Sequence, residues 1–297
     1  IPYASGYRSD NIPYGNIGIT QNKGIDVSLT YTKNFKRSSF ISFTGSFNYN
    51  INKNVYDGLP PWQYPWLNRQ GHTIDQRFGY VALGLFNDSS EILTSPLQSG
   101  DVRPGDIKYK DLNGDGIINA YDQTAIGFGA VPRILYGLNF GFGYRGFDLS
   151  LFFQGAGLVD FNYASGFGTT PFSEGATYGN MYSMLTDRWT ADTKTSNPRP
   201  FYPRLSTNQT ITTNYQTSTW WIKRADYIRL KNAELGYNFG LKALKKFAVS
   251  RMRVYVNGTN LFTKSRWKIW DPELGDGRGT SYPNTTMYNV GFRISFN

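Results

Sequence analysis

The stretch GIDVSLTYTKNFKRSSFISFTGSFNYNI, residues 24–51, decides the fold. In its first part Ile25, Val27, Leu29 and Tyr31 alternate with Asp26, Ser28, Thr30 and Thr32. Its second part repeats the pattern, with Ile41, Phe43, Phe47, Tyr49 and Ile51 set against Ser42, Thr44, Ser46, Asn48 and Asn50. Period two places successive side chains on opposite faces of a strand. Only KNFKRSS separates the two runs, so they form an antiparallel hairpin with one apolar and one polar face.

The same grammar returns along the chain. Ile134, Tyr136, Leu138, Phe140, Phe142 and Tyr144 lead through the tight turn YRGF into Phe147, Leu149, Leu151 and Phe153. A third hairpin joins YIRLKNAELGYNFG to SRMRVYVNGTNLF through LKALKKF, and its apolar phase slips between Leu230 and Ala233, the mark of a β-bulge. Tyr288, Val290, Phe292, Ile294 and Phe296 close the chain in strict alternation. The fold class is therefore all-β and antiparallel. Composition agrees: 22 Tyr, 21 Phe and 32 Gly among 297 residues suit pleated surfaces and turns.

Between the hairpins lie long stretches rich in Gly, Pro, Asn, Ser and Trp, at about residues 53–73, 87–131, 156–218 and 263–283. Short turns on one side and long loops on the other are the asymmetry of an outer-membrane barrel. Periodicity alone leaves a soluble β-sandwich open, because that fold alternates too. The loop asymmetry, the Ser/Thr/Asn faces and the aromatics near strand ends favour a barrel with a watery or plugged lumen. If KNFKRSS and YRGF lie on one side, residues 53–132 hold no wall strand or an even number. The wall then has about seven or nine strands, the larger count pairing residues 74–86 with DIKYKD.

Other classes are excluded or weakened. With no Cys, there is no disulfide, thiolate site or thiol nucleophile, and the single His72 makes a hydrolytic triad improbable. We read no enzyme here, and His72 as structural. The net charge of +10 is scattered, with short clusters only at Lys33–Arg37 and Lys242–Lys246, so it belongs to turns and rims and predicts no nucleic-acid partner. No run reaches the ~20 apolar residues of a membrane helix. The opening IPYASGYRSD has neither the basic nor the apolar region of a signal peptide and reads as mid-loop sequence, which predicts a fragment.

Five motifs in order carry a resemblance: GDIKYKDLNGDGIINAYD, YGLNFGFGYRGFDLSLFFQG, LTDRWTADTKTSNPRP, DYIRLKNAELGYNF and RVYVNGTNLF. Together they resemble the C-terminal part of the SusC/RagA family of TonB-dependent outer-membrane transporters of Bacteroidetes. The resemblance implies a barrel of roughly 22 strands with a plugged lumen, of which residues 1–297 are the final third or so, the plug and N-terminal strands being absent. It implies import of glycan fragments or oligopeptides, energy from TonB–ExbB–ExbD, a SusD-like surface lipoprotein as lid, and the outer membrane as location. The remaining partners it implies are outer-membrane lipid and the N-terminal part of the same transporter. It also implies a C-terminal aromatic for barrel assembly, and here Phe296 is followed by Asn297. The alternative is a surface β-protein acting as an adhesin or structural module.

The segment 111–122, DLNGDGIINAYD, matches an EF-hand-like calcium loop. Asp111, Asn113, Asp115 and Asp122 offer side-chain oxygens and Ile117 its carbonyl, while Gly116 permits the sharp turn. Position 12 is Asp122 instead of Glu, a shorter ligand. Ile118 should pin the loop to a small apolar cluster, and the expected role of Ca²⁺ is to stiffen an external loop. An Asn-Gly, Asp-Gly turn with no metal is the other reading.

GFGYRG, residues 141–146, matches G-x-G-x-x-G but runs from strand to strand, so it is a turn. In PPWQYPWLN, Trp62, Tyr64 and Trp66 offer flat faces for substrate, as do Trp267 and Trp270 in SRWKIWDPELGDGRG. Trp220 and Trp221 are expected in an interfacial girdle or at a loop base. Asp271 and Glu273 could mimic a glycosidase pair, but their expected state is solvated loop charge.

Overall fold

A computed structural model describes residues 16–36, 39–165, 183–206, 213–240, 249–276 and 281–296. The opening IPYASGYRSD, Arg37, the turn LKALKKF with Lys242–Lys246, and Asn297 lie outside the described residues. Among the described residues thirteen strands follow in chain order. Seven form one sheet: β1 (Ile19–Phe35), β2 (Ser39–Tyr56), β7 (Ile134–Tyr144), β8 (Phe147–Gly157), β11 (Tyr227–Asn238), β12 (Val249–Ser265) and β13 (Met287–Phe296). They lie side by side in that order, each antiparallel to its neighbours.

Register makes the two faces chemically distinct. One cross-strand row runs Tyr31, Phe43, Phe140, Leu151, Ala233, Gly258 and Tyr288 through all seven strands. The neighbouring row on the other face runs Thr32, Ser42, Gly141, Ser150, Glu234, Asn257 and Asn289. On the polar face hydrogen bonds tie strand to strand: Asn48 donates to Asp26 at 2.6 Å and Asn289 to Asn257 at 3.0 Å. On the apolar face Ile25 is 62% exposed and Val290 80%. A contiguous apolar wall of this extent is stable only against hydrocarbon or another protein. Inverting the usual inside-out pattern is what a lipid-facing barrel wall requires.

The turn between β7 and β8 confirms its hairpin. Arg145 and Gly146 alone link β7 to β8, with φ of 48° and 94°. Positive φ at both positions gives the two-residue turn whose twist matches the strands. In β11 the pairing slips between Leu230 and Asn232, so the bulge falls at Lys231.

The other six strands are short and lie outside this sheet, in three pairs: β3 (Arg77–Tyr80) with β6 (Gln123–Ile126), β4 (Ala82–Leu85) with β5 (Ile107–Tyr109), and β9 (Asp160–Asn162) with β10 (Ile222–Arg224). The expected pairing of residues 74–86 with DIKYKD does form, as β4 with β5, but it adds nothing to the wall. Three or four residues cannot cross a membrane, which takes about 9–11. The smaller count of seven is the right one among the described residues. The short strands and helix α1 (Ser89–Thr94) belong to loops at the end of the sheet opposite the Arg145–Gly146 turn. Among the described residues no helix is long and apolar enough to cross a membrane.

Candidate functional site

The long connections 57–133, 158–226 and 266–286 share one core. Ile107, Tyr109, Ile118, Val159, Phe161, Tyr163, Leu185, Tyr202, Trp221, Ala225 and Trp267 form its buried cluster. Trp221 is fully buried, its ring stacked on Tyr215 at 5.7 Å and Tyr163 at 5.8 Å, and its indole N–H donates to the Asn214 carbonyl. It anchors the loop base, and the girdle alternative is set aside for this ring. Ile118 joins the same cluster, as expected of position 8 of the calcium template.

Buried polar groups then lock the loops to one another. Asp106 receives both Arg204 Nε at 2.9 Å and Nη2 at 3.0 Å, and Asn214 Nδ2 at 2.8 Å. Asn214 in turn accepts from the Ile107 N–H, so segments a hundred residues apart share one network. Gln98 acts as a substitute strand, donating to Ile107 O and accepting from Tyr109 N–H. Arg77 pairs with Asp276 and donates to the Asp160 carbonyl at 2.9 Å. Burial raises the pKa of Asp160 and of Asp276 despite these cations.

A strap crosses back to the wall. Arg229, on the polar face of β11 and 2% exposed, donates to Asp271 Oδ1 at 2.5 Å and to Glu273 Oε2 at 3.1 Å. Lys231, the bulged residue, reaches Glu273 at 2.7 Å. Asp271 and Glu273 are therefore neither solvated nor a free catalytic pair; this corrects the expected loop charge. The sequence hides this contact because Arg229 lies 42 positions from Asp271. The bulge that aims Lys231 was legible, and its partner was not.

The calcium template has the required backbone. Gly114 and Gly116 take φ of 75° and 80°. Asp111 accepts from Gly114 N–H at 2.6 Å and Gly116 N–H at 2.9 Å, and Asp115 from Ile117 N–H at 2.8 Å. Burial works to raise the Asp111 pKa, yet the Gly116 and Gly114 N–H groups and the nearby Asp122 side chain outweigh it and hold the carboxyl below its ordinary range. Asp122 is buried and accepts from Leu112 and Asn119 N–H, while Asn113 donates to Asp115 at 2.8 Å. Among the described residues no three acidic or histidine side chains converge on a common point. The loop's own N–H groups already satisfy much of the negative charge of Asp111, Asp115 and Asp122.

The aromatics divide. Tyr64 stacks on Trp66 at 4.8 Å and meets Tyr121 edge-on, and Trp66 donates to the Tyr121 carbonyl at 2.7 Å. These rings brace the 111–122 loop. Trp62 is exposed. Trp267 is 3% exposed, held edge-to-face by Phe161 and Trp270, and Trp270 donates to the Gly275 carbonyl. Both faces of a free stacking platform are thus not offered at Trp267. His72 packs edge-on against Phe78.

Sequence reasoning missed a cleft of about 530 Å³ beside Trp267. Its floor holds Phe201, Trp267 and Ile269, and around it stand Lys223, Arg224, Arg266 and Lys268, with Asp187 as the acid. Among the described residues Lys223 pairs with no carboxylate; its Nζ sits 5.6 Å from the Phe201 ring and 5.9 Å from Trp220, and burial lowers its pKa. An apolar floor under several cations suits a ligand with an anionic group on a flat body. The signal was the basic spacing KR and SRWK on loops that only tertiary structure brings together.

No family model matches the chain. Whole-chain relatives do: it is 28% identical over 311 residues to TonB-dependent receptor P3 of Formosa agariphila, covering 95% of this chain and 29% of that protein. TonB-dependent receptor P26 of the same organism is 27% identical, covering all of this chain and 31% of the relative. Along its whole length the chain is similar to one segment of these TonB-dependent receptors. It spans about three tenths of the length of these relatives. The fold agrees: the RagAB peptide transporter superposes with a TM-score of 0.71 at 23% identity, covering the whole of this chain and 31% of that one. The RagAB peptide importer in its closed-closed state gives 0.68 at 23% identity, over 31% of its length. The segment is accordingly part of an outer-membrane barrel wall, with its long loops at one end and its two-residue turn at the other. These relatives are named receptors and transporters and not enzymes.

Proposed function

We propose that the receptor to which this segment belongs imports nutrients across the outer membrane. The observation that carries this is the end-to-end likeness to TonB-dependent receptors, with wall and loops alike included. In this reading the seven strands are part of a larger barrel, and the other strands and a plug lie in the rest of the receptor. TonB–ExbB–ExbD supplies the energy, and a SusD-like lipoprotein closes over the external loops. The substrate is a glycan fragment or an oligopeptide; of the loop aromatics Trp62 offers an exposed ring to it, Tyr64, Trp66 and Trp270 shape the loops around it, and the buried Trp267 backs the cationic cleft, a place for an acidic group. Deleting the gene and growing the strain on separate oligosaccharide and oligopeptide panels tests this. Loss of growth on one panel, with co-purification of a surface lipoprotein, is the expected result; unaltered growth on both counts against import.

The 111–122 loop is, in the same reading, a structural Ca²⁺ site formed by Asp111, Asn113, Asp115, Asp122 and the Ile117 carbonyl. What supports it is the donor spacing together with the positive φ at Gly116. Asp111→Ala with Asp115→Ala should abolish calcium binding and increase proteolysis within residues 87–131, leaving the barrel folded. Equal protease sensitivity with and without chelator would show that loop N–H groups alone brace it.

A further inference from the structure

The lipid-facing side of the wall carries a charge asymmetry that the import cycle does not use. Following each strand outward from the apolar rows, the same face reaches Lys23 and Lys53 on β1 and β2 and Lys264 on β12 at the external end, and Lys33 at the periplasmic end. Lys23 stands opposite Ile51, and Gln21 opposite Lys53, in register with the Ile25–Tyr49 and Val27–Phe47 pairs of the lipid face. Among the described residues of the seven strands, no Asp or Glu shares that face: Asp26, Asp148 and Glu234 all point to the polar side.

At the Lys23 end of the wall, where residues 71–72 continue the pairing with β2 beyond β7, Lys23 and Lys53 of the apolar face border a cleft of about 280 Å³ whose lining also takes in Gln21, His72, Gln76 and, from the polar-face register, Asn52 and Arg133, with no carboxylate in its wall. Among the described residues neither Lys23, Lys53 nor Arg133 makes an ion pair. Arg133 spends one nitrogen on Thr73 Oγ1 and the Phe128 carbonyl, and its Nε is buried without a partner. The adjoining acids are committed elsewhere: Asp57 accepts from Gln70 and Leu59 N–H, and Asp75 from Val131 N–H. Lysines that merely snorkel to the interface need no cavity. Here a concave, acid-free basic site sits one step above the apolar band, where lipid headgroups lie.

We propose that this cleft binds a phosphate group of a phosphorylated glycolipid of the outer leaflet, with Lys23 and Lys53 as the charge contacts and Arg133 as the donor behind them. The acyl chains would then run down the wall over Ile25, Val27, Phe47 and Tyr49. The inference rests on the membrane-wall reading and not on import, so failure of either leaves the other standing.

The test uses the full-length receptor in detergent, delipidated and titrated with a diphosphorylated glycolipid, its enzymatically dephosphorylated form, or inorganic phosphate alone, with bound lipid counted by native mass spectrometry. The expected result is at least tenfold weaker retention of the dephosphorylated lipid, no stable adduct with phosphate alone, and a similar loss in Lys23→Gln/Lys53→Gln but not in the periplasmic control Lys33→Gln. Equal retention of both lipids by the unmodified receptor overturns the proposal without any variant. So does phosphate alone binding as tightly as the lipid, or a folded double variant that retains the lipid like its parent.

Discussion

Arg229→Ala is expected to destabilise the assembly by about 3 kcal/mol, the low end for a broken buried ion pair, because it leaves two half-buried carboxylates without their buried cation. Asp271 and Glu273 both bond the Arg229 guanidinium, and only Lys231 remains to one of them. The loss should be local before it is global. The strap around Pro272–Leu274 also joins the loop network through Asp276 and Arg77, so its release frees the link between wall and loops. Limited proteolysis should show new cleavage near residues 266–276, with barrel strands still protected. Arg229→Lys should be intermediate, since an ammonium keeps the charge but cannot span both carboxylates in a fork.

The pH dependence fixes the sign. For Asp271 burial acts to raise the pKa, yet the Arg229 bond, the Glu273 N–H and the Arg229 charge outweigh it and hold the carboxyl below its ordinary range. A depressed carboxylate contributes fully above its unfolded pKa, about 4, and loses that contribution as pH falls below it. Removing Arg229 takes away two of the groups that lower it, so the Asp271 pKa moves upward in the variant. The stability gap between parent and variant should then narrow as pH falls below about 4, where the parent loses the contribution that the variant already lacks. A parallel pH response in both proteins would argue that the strap is held by packing and not by charge.

Leu151→Arg should cost about 2–4 kcal/mol, the penalty of a cation near the middle of a lipid-facing wall. Leu151 stands between Phe140 and Ala233 in the central apolar row. Its neighbour Ser150 faces the other way, opposite Glu234. Ser150→Arg places the same cation beside a carboxylate in the lumen and should cost under about 1 kcal/mol. Urea unfolding of the two variants in the same lipid vesicles measures the difference. Similar losses would mean that the two faces are not what the register makes them.

Much of the wall was legible in the residues because a strand's period is two and a barrel wall carries opposite chemistry on its faces. Ile25 to Tyr31, Ile134 to Phe153 and Tyr288 to Phe296 each announced a strand, and even the bulge at Lys231 showed as a slip of phase. The loops were opaque for the opposite reason. Their order comes from contacts such as Asn214 with Ile107 and Asp106, or Arg229 with Asp271, that join distant positions and leave no local period. Residues 74–86 left the count of wall strands open between seven and nine for the same reason: β3 and β4 alternate poorly because neighbours, and not lipid, decide their burial. The tryptophans were visible, but whether a ring is offered or buried depends on partners such as Phe161 and Tyr163 that no spacing reveals.

The central claim is that these seven strands are a membrane wall whose alternate residues face lipid. The chain contains no cysteine, so single cysteines can be placed along β8 within it without competing thiols. Spin labels at Leu149, Ser150, Leu151 and Phe152 in the full-length receptor, reconstituted in lipid, should alternate. Labels at 149 and 151 should relax with membrane-dissolved oxygen, and those at 150 and 152 should lack that lipid signature. Uniform accessibility along the four positions, or a water-soluble relaxant reaching 149 and 151 best, would contradict the account.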